Sequence, residues 1–501
     1  MVGNSSRQWV LRCGAVVLGC CIVGLLELSL RLGGFVASED LTDPYVEFAG
    51  QRSLFEKDAT AQFFQTATNR TNYFVRDRFP VVKTEGTFRI FCLGGSTVQG
   101  RPYSIETGFP KWLQLSLEAR QPDRKWEVIN CGGISYASYR LVPILRECLE
   151  HYEPDLIVLC TGQNEFLEGR TYSSLLNPRS IFVGAESWLG QWHLTRLMRQ
   201  GIATIRKPAT EIEINSVRPI LSEEVDALLD YRGGLEAYER DTDWRAGVLR
   251  HFENNLRRMA LLCRSQGVPL LLLSPPVNLR DTPPFKSEHR AGMTANERTK
   301  WDEIIERARG YYSSDPKQAI VWLRRALSLD NEYADTYFAL GTMYELLGRR
   351  TEARRAFLVA KEQDVSPLRM LESQREILER VAQKYRVPLV DLHEFLETKS
   401  DFASLGDEWL VDHVHPSMTG HREIGSLLAR VMSDEGWAGR PVVGWEERRD
   451  RAFEVQLNSL PEIYFLHGKQ RLENLLLWTR SRTDGPLWEG RRSTPVSSTV
   501  E

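Results

Sequence analysis

The stretch Phe88-Arg89-Ile90-Phe91-Cys92-Leu93-Gly94-Gly95-Ser96-Thr97-Val98-Gln99-Gly100 decides how the chain is read. Apolar and β-favouring residues run into two glycines and a serine, the pattern of a buried strand that ends in a tight turn with Ser96 at its tip. In doubly wound α/β sheets, active sites lie just beyond the carboxyl ends of the strands, where a helix N-terminus and free backbone N–H groups face a ligand. Ser96 is therefore a candidate nucleophile. Taken alone, the stretch reads more simply as a glycine-rich turn with a helix N-cap serine, and its weight comes from what lies downstream.

Outward from this stretch, strand and helix signals alternate. An amphipathic segment near Phe109 to Ala119 leads to the strand Trp126-Glu127-Val128-Ile129-Asn130 and the turn Cys131-Gly132-Gly133. A helix from about Tyr139 to Tyr152 precedes the strand Leu156-Ile157-Val158-Leu159-Cys160. A helix over Trp244 to Gln266 enters the strand Val268 to Leu273, and one over Met370 to Lys384 enters a last strand, Val387 to Asp391. This alternation predicts an α/β fold built of right-handed βαβ units around a mostly parallel sheet.

Other segments interrupt or flank that pattern. Residues 9–34 are mostly apolar, with Arg7 and Arg12 on the near side and Glu39, Asp40 and Asp43 beyond. The uninterrupted apolar core, Cys13 to Leu26, spans a membrane only if Glu27 and Arg31 sit near the far interface. The segment reads as an uncleaved signal anchor, a single-pass transmembrane helix with the rest of the chain outside the cytoplasm; a cleaved signal peptide is the rival. Residues 35–85 mix aromatic and charged residues without periodicity and read as an extended leader laying Tyr45, Phe48, Phe55, Phe63 and Phe64 on the following domain. Residues 170–243 read as a helical insertion, and those from 436 to 501 as two polar helices followed by a disordered tail.

Between the fourth and fifth strand signals, residues 300–365 carry a 34-residue period: Ala319 recurs as Ala353, Leu323 as Phe357 and Ala326 as Ala360. With Tyr337, Leu340, Gly341 and Tyr344, these fill the small and large positions of one tetratricopeptide-like repeat and part of another. A plain helical hairpin is the alternative. So short an array leans on a neighbouring domain, and it is a candidate surface for a protein partner.

Composition narrows the function classes. The 501 residues are 42% apolar and 26% charged, with a net charge of −3, which offers nothing to a polyanion and disfavours nucleic acid. Of the eight cysteines, Cys13, Cys20 and Cys21 fall in the N-terminal apolar segment and Cys92, Cys131 and Cys160 within or at the end of predicted buried strands; the spacing is neither that of disulfides nor that of a metal site, and all eight read as structural.

Serine at neutral pH needs a base, a group that orients the base, and donors for the oxyanion. Asp412 and His415, three apart in Asp412-His413-Val414-His415-Pro416, allow a tight turn in which the carboxylate binds one imidazole nitrogen while the other faces Ser96. His413 is the alternative base, although its odd offset turns it away, and His421 lies on the closing helix. Asn164, in Thr161-Gly162-Gln163-Asn164-Glu165, offers an amide donor or else caps a turn. The loop Asn130-Cys131-Gly132-Gly133-Ile134-Ser135-Tyr136 offers a backbone N–H.

Gly94-Gly95-Ser96, Asn130 to Tyr136, Gly162-Gln163-Asn164-Glu165 and Asp412 to Pro416 resemble, in order, the four signature blocks of the SGNH hydrolases, or GDSL-type esterases. The resemblance covers residues 86–275 and 376–433. It implies a three-layer α/β/α, flavodoxin-like sheet with neither metal nor organic cofactor. Carried over residue by residue, Ser96 is nucleophile and first oxyanion donor, Asn164 the side-chain donor, His415 the base and Asp412 its orienter. Three positions depart from the family pattern: Gly95 replaces aspartate, Glu165 replaces aspartate, and Ser135 stands where a glycine usually gives the second backbone donor. The expected activity is serine-esterase hydrolysis or transfer of an O-acyl group on a small molecule, glycan or lipid. A catalytically inactive scaffold whose repeat element binds a protein remains the alternative.

Overall fold

The structure, a computed structural model, describes residues 43–50, 52–172, 219–231, 234–402 and 404–481, together with Ser29. The signal-anchor segment apart from Ser29, most of the insertion over 170–243 and the C-terminal tail lie outside these residues. No described helix is long and apolar enough to cross a membrane. The chain divides into two compact units. Of the first, Met1–Glu47 with Thr171–Ile220, few residues are described; the rings of Tyr45 and Tyr172 meet edge-on there at 5.7 Å. The second, Phe48–Arg170 with Leu221–Glu501, holds everything that follows.

Within the segment read as an extended leader, three short strands, β1 (Phe55–Lys57), β2 (Phe63–Thr66) and β3 (Arg78–Pro80), form an antiparallel sheet. Alternation is too brief at these lengths to show in sequence. The sheet is fastened by aromatic contacts: Phe79 meets Phe55 at 5.0 Å and Phe91 of the main sheet at 5.4 Å. Phe63 instead turns outward under Arg78, whose guanidinium lies 3.9 Å from the ring centre.

The main sheet has five parallel strands: β4 (Thr87–Gly94), β5 (Lys125–Gly132), β6 (Leu156–Cys160), β7 (Leu270–Ser274) and β8 (Leu389–Asp391). Their order is β8-β7-β6-β4-β5, the flavodoxin-like order, in which the chain switches sides between the first and third strands of the sheet. Strands β4, β6 and β7 are buried throughout, which is why they read as continuous apolar runs. On one face, Ile90, Cys92, Val158 and Leu271 pack with Phe109, Leu113 and Leu117 of α2 (Phe109–Arg120), Leu392 and Leu396 of α10 (Leu392–Glu397), and Ile424 and Leu428 of α11 (Met418–Asp434). The other face carries α3 (Ser138–His151), α4 (Thr242–Ser265) and α9 (Glu372–Tyr385). Three layers result.

Arg89, fully buried within β4, joins these parts. Its Nε lies 2.8 Å from Glu127 of β5, while Nη1 and Nη2 donate to the carbonyls of Tyr152 and Pro80 at 2.9 and 3.0 Å. Each of the three guanidinium nitrogens has a partner, and one of these is a carboxylate, the condition for tolerating a charge in the interior.

Between β7 and α9 stand four helices, α5 (Ala295–Tyr311), α6 (Pro316–Leu329), α7 (Ala334–Leu346) and α8 (Arg350–Gln363). The sequence pattern gave one full repeat and part of another, whereas the structure has two complete hairpins. The first starts ahead of the pattern, at a capping box in which Thr294 and Glu297 satisfy each other's backbone N–H groups. The repeating small residues are buried, and Phe357 packs on Gly341. At the exit Asp364 accepts the N–H groups of Phe285, Lys286 and Ser366 at 2.8, 3.0 and 3.1 Å, tying the insertion to the loop after β7. The chain closes with α12 (Trp445–Ser459), whose Phe453 meets Trp112 of α2, and α13 (Glu462–Ser481).

Gly94 ends β4 between two strands, and a Cβ there would fall 2.3 Å from the Cys160 carbonyl oxygen. Gly94→Ala is expected to destabilise the fold by about 1–3 kcal/mol, the usual cost of overpacking. A lowered urea midpoint with an unchanged slope would show it; an unchanged midpoint would mean that the strands separate without penalty.

Candidate active site

Gly94 is paired in register with Gly132 on one side and Cys160 on the other, so the ends of β4, β5 and β6 converge at the switch point. Ser96 opens the single turn α1 (Ser96–Gln99) directly beyond β4. Two amides brace this turn. Asn130 donates from Nδ2 to the Val98 carbonyl at 2.8 Å and accepts the Gly132 N–H at 2.9 Å; Gln163 donates to Thr97 Oγ1 at 2.8 Å. Asn130, near the end of β5, and Gln163, in the loop after β6, thus hold the turn that Ser96 opens.

His415 reaches Ser96 across the sequence. Its Nε2 lies 2.7 Å from Ser96 Oγ, and its Nδ1 lies 2.7 Å from Asp412 Oδ2. With Nδ1 facing a carboxylate, the proton sits on Nδ1 and Nε2 accepts from the serine hydroxyl. The other carboxylate oxygen accepts the N–H groups of Val414 and His415 at 3.0 and 2.7 Å, folding residues 412–415 into the tight turn that the three-residue spacing predicts. Burial pushes the Asp412 carboxyl up, but His415 and His413 outweigh it by charge and hydrogen bonding and hold it well below the usual carboxylate range.

Asn278, in the loop after β7, is a residue the sequence reading missed. Fully buried, it donates from Nδ2 to the Asp412 carbonyl at 3.1 Å, and its N–H donates to the His413 carbonyl at 2.9 Å. No local pattern announces it, because its partners lie more than a hundred residues away.

The alternative base takes a different place. His413 stands edge-on to Phe285 at 5.2 Å and beside Trp478, and makes no hydrogen bond to Ser96. His421 lies on α11, where its Nδ1 accepts the Phe109 N–H at 3.2 Å and so caps α2. Burial, then repulsion by His415, pulls its pKa down to about 3; it stays neutral at physiological pH.

The oxyanion candidates gather at the same strand ends. Asn164 follows β6 and donates one amide hydrogen to the Tyr136 carbonyl at 3.0 Å. Its Nδ2 lies so near Gly95 that a Cβ there would fall 2.7 Å away, so residue 95 lacks a side chain in order to let the amide reach the nucleophile's turn. Ser135 has φ of 62°: the left-handed backbone that glycine favours persists here with serine in place. Its neighbours spend their N–H groups on Gly94, Tyr73 and Gly133, whereas the N–H groups of Ser135 and Ser96 have no acceptor among the described residues. Glu165 is buried and accepts from the N–H and Oγ of Ser138 at 2.7 and 2.9 Å, fixing the loop that carries Asn164.

Among the described residues no three His, Cys, Asp or Glu side chains are gathered as a metal site. The described cysteines, Cys92, Cys131, Cys148, Cys160 and Cys263, are buried free thiols, and burial raises Cys160 to about 12.

Comparison with known proteins gives matches among solved structures only: no family's sequence profile and no curated protein matches the chain. Among the solved structures, a lipolytic protein of the G-D-S-L family from Desulfitobacterium hafniense is 11% identical, covering 68% of this chain and 98% of its own, with a TM-score of 0.30. The lipase/acylhydrolase from Enterococcus faecalis is 12% identical over 70% and 96%, with a TM-score of 0.31. An acetyl xylan esterase from Geobacillus stearothermophilus is 14% identical over 71% and 96%, with a TM-score of 0.30. At that level of likeness, what the site can do follows from its own geometry.

Two outcomes test these placements. Asn164→Ala should lower turnover of any ester the wild type cleaves by about 10²–10³, the loss typical of one oxyanion donor, with the melting temperature little changed; full activity would remove Asn164 from that role. Because the Asp412 pKa is lowered in the folded state, its stabilisation is complete above the unfolded value of about 3.9 and is lost as pH falls further. The stability gap between wild type and Asp412→Asn, read from urea midpoints, should therefore narrow below about pH 4. A gap independent of pH would contradict the depressed pKa.

Proposed function

We propose that this chain is a serine esterase of the SGNH type, which hydrolyses or transfers an O-acyl group through an acyl-enzyme on Ser96. The observation that carries the reading is the unbroken relay from Asp412 through His415 to Ser96, with both links at 2.7 Å, at the switch point of the sheet. In this reading His415 Nε2 takes the hydroxyl proton as Ser96 Oγ attacks the ester carbonyl carbon. The carbonyl oxygen becomes an oxyanion that the N–H groups of Ser96 and Ser135 and the Asn164 amide would receive. Asp412 stabilises the imidazolium without itself taking the proton.

Collapse of the tetrahedral species breaks the bond to the alcohol, which leaves with the proton from His415. Water then attacks the acyl-enzyme in hydrolysis, or an acceptor hydroxyl in transfer; His415 removes the attacker's proton and returns it to Ser96 Oγ. The same residues serve both outcomes, and exclusion of water from the acceptor site separates them. The reading extends to location. Segment 9–34, with arginines before it and acidic residues after it, supports a chain tethered by its N-terminus with Ser96 outside the cytoplasm.

An aryl phosphonate that labels activated serines provides the test. Wild type should be labelled stoichiometrically, and both Ser96→Ala and His415→Ala should abolish labelling while keeping their circular dichroism. A folded wild type that resists the reagent, or a labelled Ser96→Ala, would overturn the reading.

A further inference from the structure

Ser96 is followed within five residues by Arg101, whose N–H donates to the Ser96 carbonyl at 3.2 Å. The Arg101 side chain is half-buried and makes no hydrogen bond or ion pair among the described residues. Two charges act on it, Asp412 and Arg471. Asp412 offsets part of this charge but forms no ion pair with Arg101, its carboxylate oxygens being taken up by His415 and the turn.

Arg471 comes from the other end of the chain, and α13 brings it to the site. Near the helix start, the Tyr464 hydroxyl lies 2.7 Å from Thr107 Oγ1 and accepts the Ser104 N–H at 3.2 Å, while its ring stacks on Tyr103. Gly468 lies directly on Tyr103. Near the helix end, Trp478 stands beside His413 and Phe285. The helix therefore runs from the loop after the nucleophile to the loop that carries the base. Arg471 lies between these two anchors, its Nε donating only to the His467 carbonyl of its own helix, at 3.2 Å.

Arg101, on the loop after Ser96, and Arg471, on the helix laid across that loop and the loop of His415, thus act on each other as like charges, and neither is in an ion pair among the described residues. Such an arrangement costs energy in the empty protein and is relieved by an anion. The planar fork of arginine matches the oxygens of a carboxylate or a phosphate. We propose that Arg101 and Arg471 form an anion-binding subsite beside Ser96, so that the O-acyl substrate carries a carboxylate or phosphate close to the scissile ester. The inference rests on the esterase reading and adds the substrate's charge to it.

Four acetyl esters of one phenol scaffold test it on the full chain: phenyl acetate, 3-acetoxybenzoate, 3-acetoxyphenyl phosphate and the 3-trimethylammonium analogue. At low ionic strength kcat/KM for at least one anionic ester should exceed that for the cationic ester by about tenfold, the worth of one charge-assisted hydrogen bond. Which anion is preferred separates a carboxylate-bearing substrate from a phosphate-bearing one. The ratio should fall with added salt and collapse toward one in Arg101→Gln and in Arg471→Gln. Arg298→Gln, an exposed change on α5, should keep it. A wild-type ratio near one, or a ratio that survives both active-site variants, would overturn the subsite.

Direct binding separates this result from failure of the esterase reading. If no ester is cleaved but 3-hydroxybenzoate or 3-hydroxyphenyl phosphate binds wild type in calorimetry and binds neither arginine variant, the esterase reading falls and the subsite stands. If no ester is cleaved and neither ligand binds, both are wrong.

Discussion

The close approach of three strands at Gly94 is the constraint on which the rest of the molecule depends. Gly94 pairs with Gly132 and with Cys160 at once, and the Gly133 N–H donates to its carbonyl at 2.9 Å. Only where a chain crosses from one side of a sheet to the other do two neighbouring strand ends open a crevice instead of closing on the next connection. Ser96, Ser135 and Asn164 leave the sheet at these three ends, so strand pairing itself sets their relative positions. A side chain at residue 94 or 95 would push the strands or the amide out of place.

Polar groups behind the site make this geometry rigid. Glu168 accepts from the Tyr139 hydroxyl at 2.6 Å and from Arg140 Nε at 2.7 Å, so the loop that carries Asn164 is pinned to α3. Asn255 of α4 donates to the Ser138 hydroxyl at 3.1 Å, which in turn donates to Glu165. Each of these groups is buried, and a buried polar network that is satisfied restricts the backbone more sharply than apolar packing does. Glu165 is the weak point of the scheme in energetic terms: burial raises its pKa despite the bonds it accepts.

How much of this could be read from the residues depended on the range of the interaction. The sheet was legible because β4, β6 and β7 are buried on both faces and so write continuous apolar runs. The Asp412–His415 link was legible because it closes within one turn. The Ser96–His415 hydrogen bond itself joins residues 319 apart, and here the order of four short motifs gave what spacing could not. Asn278, Arg101 and Arg471 stayed hidden because nothing within a window around any of them points to its partner. The small sheet over residues 55–80 escaped for a different reason, since strands of three or four residues leave no period to detect. At Ser135 the sequence raised a doubt about the backbone, and the structure shows the left-handed conformation kept without glycine.

The placement of α13 has a consequence for how the chain comes to life. Ser96 and His415 lie 319 residues apart, and the helix that spans their two loops follows both in the chain. Contacts of such separation form late, after the local units have folded. A cut that removed α13 would take Arg471 and Trp478 away from the two loops the helix spans. The meeting of Ser96 with His415 is thus a product of long-range folding, which no local segment of the chain can reproduce by itself.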